Sequence, residues 1–410
     1  MAAFRWGYAL DGGWRKAARW VLLGLFVALV VYGHIWYRNR HDWFDLGIYR
    51  QAVNWWLDGH DLYDFVKPDD TQGTLGFTYP PFGALILVPF AVLPWTGAVV
   101  LYSVITIAAL LITTYWLLAP VARAKGWGLP FAMILALAVI SALEPVRENY
   151  TFGQINMVLV LLVLADLLVL LPRGSRWAGV LIGLAAAIKL TPAIFIVYLL
   201  ISRRYRAGLT AIASAAAASL VAFAVGPRAS IDFWTDALWQ GEGIGSAAYT
   251  FNQSFYGMLA RLSAPHDPNR LVWAVLVLAA LGFGLWRARR AALVGDEVVG
   301  LTITGIVGCL ISPITWVHHI YWFVPALIVL AASRRHAWFA VLIALTVGLG
   351  LVSWFEQGLP VDPWSHGVQG FMIKNWYLLL MVALLFALPI RADARVVAGE
   401  STASEPATVR

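Results

Sequence analysis

Residues 179–200, Gly-Val-Leu-Ile-Gly-Leu-Ala-Ala-Ala-Ile-Lys-Leu-Thr-Pro-Ala-Ile-Phe-Ile-Val-Tyr-Leu-Leu, are long and apolar enough to cross a bilayer, yet both flanks are basic. Arg173 and Arg176 precede the segment, and Arg203, Arg204 and Arg206 follow it. Basic turns stay on the cytoplasmic side of a membrane. A single crossing would therefore put the second cluster outside and invert everything downstream. Lys189 and Pro192, near the middle, suggest another path: a re-entrant hairpin, 178–188 then 191–201, that enters and leaves on one side. Such a bend is tolerated at membrane depth where protein or a wet cavity covers it. The alternative is a crossing helix kinked at Pro192; the hairpin is the expectation here.

Outward from this segment the chain keeps the same character. Of its 410 residues, 61% are hydrophobic and 12% charged, against about 25% charged in soluble domains. So many long apolar runs suit a bilayer better than a buried core. Lys and Arg clusters set the direction of each run. Spans are expected at 18–37, 96–119, 129–143, 154–171, 208–225, 271–286, 298–312, 320–333, 337–355 and 374–390. Run 82–93, closed by Pro94, is too short to cross and reads as interfacial. The fold class is thus an all-α polytopic membrane protein. It has about ten full crossings plus the hairpin, twelve membrane segments in all, with both termini cytoplasmic.

One membrane domain, 1–395, carries outer loops at 38–81, 144–153, 227–268, 313–319 and 356–373, and 396–410 reads as a disordered tail. No small-residue cleavage site follows the first apolar run, so it is expected to be retained. The net charge of +7 comes from the basic turns and gives no reason to expect nucleic acid. Cys309 is the single cysteine, so no intramolecular disulfide forms. No nucleotide-binding motif is present, and no obligate protein partner is indicated.

Polar residues gather near the outer face. In Asp42-Trp43-Phe44-Asp45-Leu46-Gly47-Ile48-Tyr49, Asp45 and Tyr49 share a helical face if the run is helical. Asp45 is then either a proton acceptor near the membrane surface or ordinary helix-terminal charge. Tyr79-Pro80-Pro81 makes a rigid extended entry into the next apolar run, either a plain turn or a platform shaping a groove. His318 and His319 form a pair beyond Ser312-Pro313. Adjacent side chains diverge and other ligands are missing, so phosphate or sugar contact is favoured over a metal. Lys189 costs about 2.5–3.5 kcal/mol inside an apolar segment and needs a partner, a phosphate or a carboxylate. Glu144, Arg147, Glu148, Asn149, Gln154 and Asn156 form a further cluster, and Lys374 opens the last span as an anchor or phosphate contact.

These stretches resemble the membrane-embedded C-type glycosyltransferases, and among them the actinobacterial family 87 mannosyltransferases. The likeness rests on FDLGIYRQAVNWWLDGHDLYD (44–64), FTYPPFGALILVPFAVLP (77–94), FGQINMVLVLLVLAD (152–166), GVLIGLAAAIKLTPAIFIVYLL (179–200) and SPITWVHHIYW (312–322). The resemblance implies a C-type glycosyltransferase fold in the plasma membrane with its site on the outer side. It implies polyprenyl-phosphate-mannose as donor and a glycolipid acceptor, a phosphatidylinositol mannoside or, alternatively, lipomannan. Asp45 matches the family's catalytic acidic residue. Tyr49, Tyr79, Glu144, Arg147, Asn149, Gln154, Lys189, His318, His319 and Lys374 are expected to bind substrate or phosphate, with Trp316 and Trp354 lining the groove. No metal or cofactor is expected. A lipid-linked sugar transporter, the reading from another class, would call for an inverted repeat and several mid-membrane ions. The sequence offers no such repeat and one such ion, Lys189.

Overall fold

The computed structural model describes residues 13–69, 73–240, 245–353 and 367–390. The tail 396–410, Trp354 and most of loop 356–373 lie outside the described residues. The helices are α1 (Gly13–His41), α2 (Phe44–Leu57), α3 (Pro81–Val92), α4 (Trp95–Lys125), α5 (Leu129–Ala142), α6 (Glu144–Phe152), α7 (Asn156–Ala165), α8 (Val180–Ile188), α9 (Ile194–Ile201) and α10 (Tyr205–Val225). They continue as α11 (Pro227–Asp232), α12 (Leu238–Gln240), α13 (Phe255–Ser263), α14 (Arg270–Leu293), α15 (Glu297–Ile311), α16 (Phe323–Ala332), α17 (Ala337–Gly348), α18 (Gly367–Lys374) and α19 (Trp376–Ala387). A small antiparallel hairpin, β1 (Val66–Asp69) and β2 (Gly73–Gly76), pairs Val66 with Gly76 and Asp69 with Gly73 inside the first long loop.

Among the described residues four helices are long and apolar enough to cross a membrane: Ala17–Trp36 within α1, α4, α10 and α14. Two pairs bent by 71°, α5 with α6 and α18 with α19, bring the number to six. The other apolar helices have 10–17 residues, and at about 1.5 Å per residue each falls short of a roughly 30 Å core. The ten expected crossings are therefore not ten long rods; several are short or broken pieces.

Packing follows the logic of lipid as solvent. Leu22, Leu25 and Leu29 of α1 are exposed while Leu23 is buried, so α1 stands at the periphery. On α10, Ala207, Ala211, Ala218 and Ala222 are buried and Leu220, Val221 and Phe223 exposed. Small residues face inward because lipid rewards neither face, and close backbone approach is what the inner face gains. By contrast, α15 is buried along nearly its whole length, from Val299 to Leu310, as expected of a helix apolar on all sides.

Segment 178–201 turns back on itself. Asp166 caps the start of α8 by accepting from the Gly179 and Ile182 N–H groups at 2.7 and 2.8 Å. Gly179 sits at φ +103°, and a Cβ there would lie 2.0 Å from the Ala207 carbonyl oxygen, so the start of α8 touches the start of α10. The end of α9 joins α10 through the turn 202–204. Both ends of the segment thus meet the same end of α10, while its tip at Lys189 reaches Tyr79.

Two expectations need correcting. Segment 144–153 is a buried helix, α6, rather than an outer loop. Pro145 starts it, where a missing N–H costs nothing, and Gly153 ends it in the left-handed conformation. The span expected at 320–333 begins as a helix only at Phe323, because Ser312 to Trp322 form a loop with one 3-10 turn, Val317–His319, that buries His318.

Candidate functional site

The site is assembled from five places in the chain. After α1, Asp42 and Trp43 adopt φ of 44° and 52°, and the Trp43 N–H donates to the Thr151 carbonyl at 2.9 Å. This sharp turn lays α2 against α6. Asp45 and Tyr49 then share one face of α2, with Asp45 half-buried and Tyr49 buried. Gly153 has φ +80°, and a Cβ there would stand 2.6 Å from the Leu46 Cβ. Only glycine permits that approach, which brings the next residue, Gln154, to Asp45.

Gln154 Nε2 donates to Asp45 Oδ2 at 2.6 Å, and its Oε1 accepts from the Tyr79 hydroxyl at 3.0 Å. Tyr79 is held by the extended Tyr-Pro-Pro run that leads into α3, with its hydroxyl 2.6 Å from that of Tyr49. At the hairpin tip Lys189 takes an extended backbone, φ −150° and ψ 133°, which ends α8 and frees its side chain to leave the helix. Its Nζ donates to Tyr79 Oη at 3.2 Å and to Asn156 Oδ1 at 3.0 Å, and lies 3.1 Å from His319 Nε2. His319 Nδ1 accepts the Trp316 N–H at 3.2 Å, which fixes the ring. Asn156 Nδ2 donates to the His318 carbonyl at 3.2 Å.

One hydrogen-bonded chain therefore runs Asp45–Gln154–Tyr79–Lys189–His319, with Tyr49 and Asn156 attached. Burial pushes the Asp45 carboxyl up to about 6, while the Gln154 hydrogen bond holds it lower than burial alone would. Oδ2 is occupied by Gln154, and Oδ1 has no hydrogen bond among the described residues. Chemically, one end of the chain can take up a proton and the other can receive an anion. A cavity of about 60 Å³ opens beside the cationic end, with Asn156 and His319 at its polar side and Phe195, Cys309 and Trp322 among its apolar walls. Among the described residues no three His, Cys, Asp or Glu side chains converge to hold a metal ion.

The structure separates the two histidines. His319 joins Lys189, while the buried His318 ring lies 5.8 Å from Phe152 and neither of its nitrogens has a hydrogen bond among the described residues. Asn149 is a brace: its Nδ2 lies 3.5 Å from the His318 carbonyl, and its own carbonyl accepts from the Tyr102 hydroxyl at 2.7 Å. Glu144 and Arg147 are not brought to the Asp45–Lys189 chain. They sit buried at the α5–α6 bend, where Arg147 lies 3.7 Å from Glu148 and 4.0 Å from Glu144. The Tyr377 hydroxyl donates to Glu144, and His41 reaches Glu148 at 3.3 Å, so this set fastens α6 to α1 and α19. Lys374 ends α18, and its carbonyl accepts from Gln253 at 2.8 Å.

The sequence reading passed over what holds the histidine loop. Asn252 Nδ2 donates to the Pro313 carbonyl at 3.0 Å and its Oδ1 accepts the Thr315 N–H at 2.9 Å. Gln253 donates its N–H to the Thr315 carbonyl at 2.8 Å, and its Oε1 accepts from Leu378. The fully buried trio Asn252-Gln253-Ser254 thereby ties the loop to the last helix. Three polar residues in a row inside an aromatic segment were the available signal.

Gln154 bridges rather than waits for a ligand, and this predicts a measurable effect. In Gln154→Leu the hydrogen bond that lowers the Asp45 pKa is gone. The pH midpoint of turnover should move up from about 6, and turnover at neutral pH should fall about tenfold, by analogy with loss of a hydrogen bond to a charged group. An unchanged midpoint would show that Gln154 does not govern Asp45.

Comparison with known proteins places these features in context. The model of glycosyltransferase family 87 matches residues 77–313. The chain is 37% identical to a polyprenol-phosphate-mannose-dependent α-(1-2)-phosphatidylinositol mannoside mannosyltransferase of Mycolicibacterium smegmatis, over 85% of this chain and 82% of that protein. It is 34% identical to the protein of the same name from Mycobacterium tuberculosis, over 88% of each. A phosphatidylinositol pentamannoside mannosyltransferase of M. tuberculosis is 33% identical over 71% of this chain and 66% of its own length. No solved structure matches the chain.

Proposed function

Because the chain belongs to glycosyltransferase family 87, we propose that it transfers mannose from polyprenyl-phosphate-mannose to the 2-hydroxyl of a terminal mannose on a phosphatidylinositol mannoside, forming an α-1,2 linkage. The observation that carries this reading is the continuous chain from Asp45 to Lys189 and His319. This reading takes Asp45 as the proton acceptor and Lys189 with His319 as the anion-binding pair, at the two ends of one hydrogen-bonded unit. The names of the two mycobacterial mannosyltransferases supply the donor and acceptor classes.

In the proposed reaction the donor sugar is β-linked to its lipid phosphate. The acceptor hydroxyl attacks the anomeric carbon from the opposite face and gives its proton to Asp45 Oδ1, which needs contact at about 2.6–3.2 Å. The new C–O bond forms as the bond to phosphate breaks, and the centre inverts. The leaving polyprenyl phosphate gains negative charge, which Lys189 and His319 stabilise in a site screened from water. In this reading phosphate leaves without a proton donor, and the Lys189 ammonium with the His319 ring takes the part a metal ion plays elsewhere.

The same reading sets the site on the outer side of the plasma membrane. Both chain termini and the basic turns then lie inside, with twelve membrane segments including the hairpin 178–201. It draws support from the meeting of both hairpin ends at the start of α10, beside Arg203, Arg204 and Arg206. A cysteine at the exposed position 206 (Arg206→Cys, with Cys309 replaced by Ser) should react with a membrane-impermeant maleimide only after the membrane is opened. Reaction in intact cells would defeat the hairpin topology.

The activity itself is tested with purified protein, radiolabelled polyprenyl-phosphate-mannose and a panel of phosphatidylinositol mannosides differing in mannose number, followed by linkage analysis. One mannose should be added through an α-1,2 bond. No product with competent substrates would sink the assignment.

A further inference from the structure

On the far side of α2 from Asp45 a second cavity, of about 330 Å³, opens between α2, the β hairpin and the start of α4. Its wall includes Asp42, Trp43, Arg50, Gln51, Lys67 and Trp95. The volume lies within the usual range of small-molecule sites, roughly 300–1,000 Å³.

The wall combines two chemistries. One is cationic. Arg50 spends Nε on the Phe90 carbonyl (3.2 Å) and Nη2 on the Leu93 carbonyl (2.7 Å), which leaves Nη1 without a hydrogen bond among the described residues. The Lys67 Nζ lies 4.5 Å above the Phe44 ring, and among the described residues neither cation has a carboxylate within ion-pair distance. Two unmatched cations on one cavity suit a phosphate, which Arg binds through its planar donors and Lys as a point charge. The other chemistry suits a polyol: the Asp42 carboxylate accepts hydrogen bonds from hydroxyls, the Gln51 amide donates and accepts, and indole faces such as Trp95 cover apolar ring faces.

Position narrows the source. Trp95 is the first residue of α4, a helix long enough to cross the membrane, so the cavity stands at the headgroup level where such aromatics collect. We propose that this cavity holds the phosphoinositol headgroup of the glycolipid acceptor, an inositol ring joined to a phosphodiester. This rests on the function proposed above. The acceptor's glycan then passes the N-terminal end of α2 to present its terminal mannose to Asp45 on the other face, about one helix width, 10 Å, away. Lys67 stands at the rim between the two, near enough to Asp45 for its charge to be felt there.

Equilibrium dialysis with radiolabelled glycerophosphoinositol and the intact purified protein tests this apart from any transfer of mannose. Wild-type protein should bind saturably. Lys67→Glu, which reverses the charge, and Gln51→Trp, which fills the cavity, should each weaken binding at least tenfold without changing the melting temperature. Excess inositol or inorganic phosphate should compete at least tenfold less well than unlabelled glycerophosphoinositol. Binding that both variants retain, or that inorganic phosphate displaces equally well, overturns the inference. Binding that behaves as expected in a protein that transfers no mannose would uphold the headgroup site and remove the mannosyl reading instead. An acceptor from which the phosphoinositol has been removed should show a KM at least tenfold higher on wild type, and an unchanged KM counts against the site.

Discussion

Asp45→Asn should lower turnover by a factor of 10² to 10⁴, the usual contribution of a positioned general base, in protein that melts at the wild-type temperature and still binds the lipid donor. The amide has the shape of the carboxylate, so α2, Gly153 and the turn at Trp43 have no reason to move. What it lacks is basicity. Wild-type turnover should show the same dependence from the other direction. Burial raises the Asp45 carboxyl to about 6, the proton-accepting form is the one above that value, and activity should therefore rise with pH and level off above about 7. Below about 5 the carboxyl carries its proton already and cannot take another. Turnover retained by the Asn variant, or a wild-type profile flat from pH 5 to 7, would remove Asp45 as the base.

Lys189→Gln is the second large effect. The amide keeps hydrogen-bond donors for Tyr79 Oη and Asn156 Oδ1, which now accept from Nζ at 3.2 and 3.0 Å, but it brings no positive charge. Loss of one preorganised stabilising group costs about 10²–10³ in kcat in comparable sites, and that is the expected deficit here. Lys189→Met serves as the contrast. It leaves Asn156 Oδ1 and His319 Nε2 without the Lys189 contact, at about 1–3 kcal/mol for each buried group left unsatisfied, whereas Tyr79 keeps Gln154 and Tyr49. Its melting temperature should fall where that of the Gln variant holds. A Gln variant with near wild-type kcat would mean that Lys189 braces the site and does not meet the phosphate. The histidines give a related contrast, since His319 touches Lys189 and His318 does not.

Much of this was legible beforehand. The membrane class follows from apolar run length and the paucity of charge, because both are local properties of the chain. The spacing of Asp45 and Tyr49 told of a shared helical face, and Lys189 and Pro192 within 179–200 told of a segment that folds back on itself. Less legible were element ends. Residues 144–153 read as a loop because Glu144, Arg147 and Glu148 are polar, yet they form a buried helix whose charges are matched by His41 and Tyr377 from distant segments. Polarity marks exposure only when no partner is at hand, and the partners here are far away in sequence.

The sequence by itself determined that the chain is rich in long apolar helices and that its polar residues gather in a few short stretches between them. Hydrophobic length, charge placement and the stiffness of Tyr79-Pro80-Pro81 act over a few residues and need no knowledge of neighbours. Only the tertiary structure decided which polar residues form one unit. Asp45, Tyr79, Gln154, Lys189 and His319 come from five separate segments, and they meet because Gly153 lets α6 close on α2 and because Lys189 leaves its helix at the hairpin tip. It also made Gln154 a bridge and set Glu144 and Arg147 apart as a brace. A hydrogen bond is decided by tenths of an ångström between atoms far apart in the chain, and a list of residues contains no such distance.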